Sequence, residues 1–63
     1  MAFWDYMKKE EIMRLDPSFD ALIMAAYQKA DTFNAEMLQA LFPAQCKELQ
    51  ERYNAPGGKL EGD

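Results

Sequence analysis

Only three residues of this chain are β-branched: Ile12, Ile23 and Thr32. Strands favour branched and aromatic side chains, whereas Ala, Leu, Met, Glu, Gln and Lys lose little rotamer freedom in a helix. The chain is built from that second set, and the expectation is an all-α fold. Its 63 residues allow one domain. A chain of this size buries only about 60% of its unfolded surface, so its core needs a disulfide, a metal, a partner or very good helix packing. Cys46 is the single cysteine and there is no histidine, which removes an internal disulfide and the usual four-ligand zinc set. Good packing or self-association remains.

The most apolar run, 19–30, follows the helix-starting trio Asp16-Pro17-Ser18. Phe19, Leu22, Ile23, Ala26, Tyr27 and Ala30 cover one arc of about 140°, with small residues opposite. This segment is expected to be the central helix. Pro17 stops a preceding helix near Leu15, Asp16 is placed to cap the next one, and Pro17 then fits its first position.

Residues 2–15 form the first helix candidate. Phe3, Tyr6, Met7 and Met13 fall on one side at 100° per residue, and Trp4, Ile12 and Leu15 on the other. One stripe is enough to bury a helix on a core. The second then meets a partner, or else the aromatics wrap the core; the pattern leaves both open.

Asp31, Thr32 and Asn34 are all capping residues, and a third helix is expected to start by Asn34 and turn Met37, Leu38 and Leu41 inward, with Phe33 as a staple. The apolar face then jumps. It is Phe33, Met37, Ala40, Leu41 and Ala44 before the Phe42-Pro43 step, and Phe42, Cys46, Leu49 and Tyr53 after it. A break at Phe42 lets both faces meet one core, with Pro43 opening a new helix. One kinked helix is the alternative. Asn54 is placed for a left-handed cap, and Ala55-Pro56-Gly57-Gly58 ends the last helix. The architecture expected is a compact bundle of three to four helices at about 2–15, 17–31, 34–41 and 43–53. A single domain 1–56 is followed by a flexible tail 57–63.

Little in the chain points to catalysis. Ser18, Thr32 and Cys46 have no histidine to activate them. Cys46 lies in the apolar stripe of the fourth helix and reads as a small buried hydrophobe. Glu10 and Glu11 diverge by 100° on a helix, while Glu48 and Glu51 sit beside Lys47 and Arg52 as a solvated face. No phosphate loop or calcium loop is present. The chain reads as non-enzymatic, with no catalytic residue, cofactor, metal or small-molecule substrate.

A net charge of −4 disfavours direct nucleic-acid binding, and Asn34 to Leu41, in the place of a recognition helix, has no Lys or Arg. No run approaches 18 apolar residues, and residues 1–15 carry as many acids as bases, which argues against a membrane anchor. A lone thiol and the lack of a signal-like start suit the cytoplasm.

Asp31, Asn34-Ala35, Leu38, Leu41-Phe42-Pro43, Glu48-Leu49 and Arg52-Tyr53-Asn54-Ala55-Pro56-Gly57-Gly58 together form a pattern that resembles short, uncharacterised all-helical proteins encoded on bacterial phages and mobile elements. The resemblance implies a bacterial cytoplasmic accessory protein and carries no activity. The leading expectation is a small interaction protein that self-associates or docks on a protein partner through Phe3, Trp4, Tyr6, Met7 and Met13. Aromatics and Met dominate such surfaces. The alternative is an acidic accessory regulator or inhibitor of a nucleic-acid-handling complex.

Overall fold

The computed structural model describes residues 2–63. They form four helices, α1 (Phe3–Arg14), α2 (Phe19–Lys29), α3 (Thr32–Leu41) and α4 (Pro43–Tyr53), followed by a short 3₁₀ turn, Pro56–Gly58. No strand occurs among the described residues. The fold is an all-α bundle, as the scarcity of β-branched residues requires.

Both predicted breaks occur, with shifted caps. Ser18 rather than Asp16 starts α2: its Oγ accepts from the Ala21 N–H at 3.0 Å. Asp16 instead closes α1. It takes a left-handed φ of 50° and donates its N–H to the Met13 carbonyl, so Pro17 lies between the helices. α3 begins two residues earlier than expected because Asp31 is its cap, its Oδ1 accepting from the Asn34 N–H at 2.8 Å. Asn54 stays right-handed and donates from its side chain to the Gln50 carbonyl. Gly57 and Gly58, free of a Cβ, adopt the positive φ that was expected of Asn54.

The break at Phe42 is real. Phe42 has φ −132° and ψ 60°, ends α3 and precedes α4, with Pro43 as the first helical residue. The turn lets α4 pack against α2, α3 and the 3₁₀ turn together. α4 therefore occupies the centre that was expected of α2. Cys46 on its inner face is 2% exposed and is the only fully buried residue among those described. Leu22, Ile23, Tyr27, Leu38, Phe42 and Leu49 surround this centre half-buried. Polar bonds tie the same three helices. The Tyr27 hydroxyl accepts from the side-chain amides of Gln39 and Gln50, each at 2.6 Å, and Gln45 donates to Asp20 at 3.0 Å.

The sequence left two roles open for the first helix, a wrap around the core or a surface for a partner. No Cα of α1 comes within 8 Å of another helix or of the 3₁₀ turn. Met37 and Leu41 of α3, expected to turn inward, are exposed. They line an open groove of about 360 Å³ with Ala26 of α2 and Ala30 just past its end. Phe33 and Tyr53 are also exposed rather than inward. The outline is correspondingly long, 41 × 27 × 17 Å. The accessible surface is 5406 Å², about 1,200 Å² more than a folded monomer of 7.3 kDa ordinarily shows.

Residues after the 3₁₀ turn fold back onto α4. Arg52 holds both carboxylate oxygens of Asp63 at 2.7 Å, donates to the Gly58 carbonyl at 2.8 Å and meets Glu48 at 2.9 Å. Asp63 in turn accepts from the Leu60 N–H at 2.9 Å.

Candidate interaction surface

α1 is helical for local reasons. Its 12 residues are mostly strong helix formers. Lys8 pairs with Glu11 at 3.4 Å and Lys9 with Glu10 at 2.9 Å. Lys8 Nζ lies 4.9 Å from the centre of the Trp4 ring, and Lys9 Nζ lies 4.4 Å from that of Tyr6. The hydrogen bond between Lys9 and Glu10 raises the Lys9 pKa and lowers that of Glu10. Both effects favour the charged pair. The charges and the rings therefore support one another along the helix surface, with no help from a core.

No Cα of another helix lies within 8 Å of α1, and both of its apolar stripes are exposed. Phe3, Tyr6, Met7 and Met13 are exposed on one side, Phe3 at 77%. Trp4 at 68% and Leu15 at 82% are exposed on the other, together with Ile12. The five residues singled out from the sequence thus lie on one element and one projecting arm. They do not form a single patch: Trp4 shares its face with Ile12 and Leu15. Those two belong to the same surface and were legible from their i+8 and i+11 spacing to Trp4.

A hinge joins this arm to the body. Leu15 keeps a right-handed helical conformation, Asp16 is left-handed, Pro17 follows, and Ser18 caps α2. Asp is among the few non-glycine residues that tolerate such a φ.

The remaining side chains offer little chemistry. Cys46 is a free thiol enclosed by the body. Among the described residues no group of three Cys, Asp or Glu side chains is placed to hold a metal ion. No helix among them is long and apolar enough to cross a membrane. Much of the acidity is met locally, since Glu10, Glu11, Glu48, Glu51 and Asp63 each pair with a nearby Lys or Arg. No protein-family model, curated protein or solved structure matches the chain.

Proposed function

We propose that the chain is a small, non-enzymatic interaction protein whose α1 is a docking arm. It self-associates or binds a protein partner through Phe3, Trp4, Tyr6, Met7 and Met13, with Ile12 and Leu15 on the same arm. The observation that carries this reading is that α1, with Leu15 at its end, exposes seven large apolar side chains and has no Cα within 8 Å of another helix. So many large apolar side chains exposed on one short helix, on both of its faces, go beyond the singly scattered ones that are ordinary on a surface. Aromatics and Met are enriched where interaction sites bury their contacts. The surplus of accessible surface supports the same reading, because a standard interface removes about 800 Å² from each partner. The resemblance to accessory proteins of bacterial phages and mobile elements fits a protein that acts by binding inside the cell.

The test is a single variant carrying glutamine at Phe3, Trp4, Tyr6, Met7 and Met13. At a dilution where the parent is monomeric, each of the five substitutions should shift the urea transition by no more than about 0.5 kcal/mol, since exposed substitutions rarely do more. The variant's concentration-dependent association, followed by light scattering, should vanish. Loss of the folded body would place α1 in the core and overturn the reading.

A further inference from the structure

Read from both ends, the arm is a charge palindrome. From Trp4 to Leu15 the sequence runs Trp-Asp-Tyr-Met-Lys-Lys, then Glu-Glu-Ile-Met-Arg-Leu. Pairing its first residue with its last and moving inward sets apolar against apolar and acid against base, and helix geometry brings two of these pairs, Trp4 with Leu15 and Lys8 with Glu11, onto one face. We infer that α1 pairs antiparallel with α1 of a second copy of this chain, about a twofold axis between residues 9 and 10.

Helix geometry selects the face. Trp4, Lys8, Glu11 and Leu15 follow one another at spacings of four, three and four, the seam of a two-helix coiled coil. Leu15 belongs to this seam because its backbone continues the helical turn. In an isologous antiparallel pair, each seam residue meets its palindromic mate. Trp4 packs on Leu15 of the second copy at each end. Lys8 meets Glu11 of the second copy twice in the middle. All four residues are exposed and face no other helix.

The competing arrangements are worse. A parallel pair sets Lys8 on Lys8 and Glu11 on Glu11. An antiparallel pair through Phe3, Tyr6, Glu10 and Met13 brings the two Lys9 side chains together at its flank. Like charges in contact across an interface act against association. The surface surplus of about 1,200 Å² is enough to furnish an interface of standard size.

The inference rests on α1 being a docking arm and names its occupant. Sedimentation equilibrium of the full chain tests it with Lys8→Glu, Glu11→Lys, the double swap, and an equal mixture of the two single variants. The parent and the double swap should dimerise alike. Each single variant should dimerise at least about tenfold more weakly, having two like-charge contacts at the seam. The mixture should regain the parent's affinity, because the two seam acids of one variant then meet the two seam lysines of the other. That recovery separates lost pairing from a helix weakened by loss of its internal Lys8–Glu11 contact. A parent that stays monomeric at millimolar concentration, single variants that dimerise as tightly as the parent, or a mixture that regains nothing would each overturn the pairing. Those outcomes leave the docking arm standing, which fails separately if Trp4 is shielded within the monomer.

Discussion

The rings of Phe19 and Phe42 meet edge to face, with centroids 5.6 Å apart and planes at 66°. This contact joins the first residue of α2 to the break between α3 and α4. It holds the chain at the one place where α4 must turn to reach α2. Phe42→Ala should therefore cost about 2–3 kcal/mol, below a fully buried Phe deletion because the site is half-exposed. Phe42→Leu should cost less. Urea unfolding measures both, and a loss below about 0.5 kcal/mol would show that the pair does not hold the break.

Tyr27 ties three helices through one oxygen. Its hydroxyl accepts from Gln39 of α3 and Gln50 of α4. Tyr27→Phe keeps the ring and removes both bonds. The expected loss is about 1 kcal/mol, since water can reach the freed amides. A double-mutant cycle with Gln50→Ala should show coupling between the two residues, and strict additivity would deny the bond any role.

Cys46 is the most enclosed side chain of the body. Its thiol should react with Ellman's reagent only as fast as the body opens, and urea should accelerate the reaction. Cys46→Ser places a hydroxyl in that apolar site and should cost about 1–3 kcal/mol. Rapid labelling of the native chain would mean that the body is looser than its packing implies.

The Arg52–Asp63 clasp should respond to acid. Hydrogen bonds from Arg52, and then from the Leu60 N–H, hold the Asp63 carboxyl well below the usual carboxylate range. A depressed folded pKa stabilises the clasp at pH values above the unfolded one, and that contribution is lost as the pH falls through the folded value. The tail should thus stay docked at neutral pH and release only below about pH 4, past the ordinary Asp value. The Leu60 amide shift, followed by NMR titration, reports the release. Asp63→Asn should free the tail at every pH, and an unchanged Leu60 shift in that variant would contradict the clasp.

The parts of the fold legible in the sequence were those fixed by local chemistry. The scarcity of β-branched residues required helices, and the jump in apolar face at Phe42-Pro43 required a break. The spacing of Phe42, Cys46 and Leu49 marked the inner face of α4. Caps were less legible because neighbouring residues compete: Asp16 and Ser18 both suit a helix start, and only the left-handed turn at Asp16 decides between them. The position of α1 was not legible. Apolar residues on two sides of a helix say that both faces can be covered, not whether the same chain covers either. The identity of the arm's residues could be read, but their exposure depends on the hinge at Asp16-Pro17. The inward turn expected of Met37 and Leu41 does not occur: the break at Phe42 brings the α4 face inward but leaves these two exposed.

The central claim is that α1 stands clear of the body with its apolar surface unspent. Trp4 is the only tryptophan and lies on that arm. Its emission and acrylamide quenching should be recorded in dilute solution, where sedimentation confirms a monomer. Emission close to that of a free tryptophan in water, fully accessible to quencher and shifting to the blue as the concentration rises, is the result expected. A blue-shifted, shielded Trp4 in the dilute monomer would contradict the claim, because α1 would then lie against its own body.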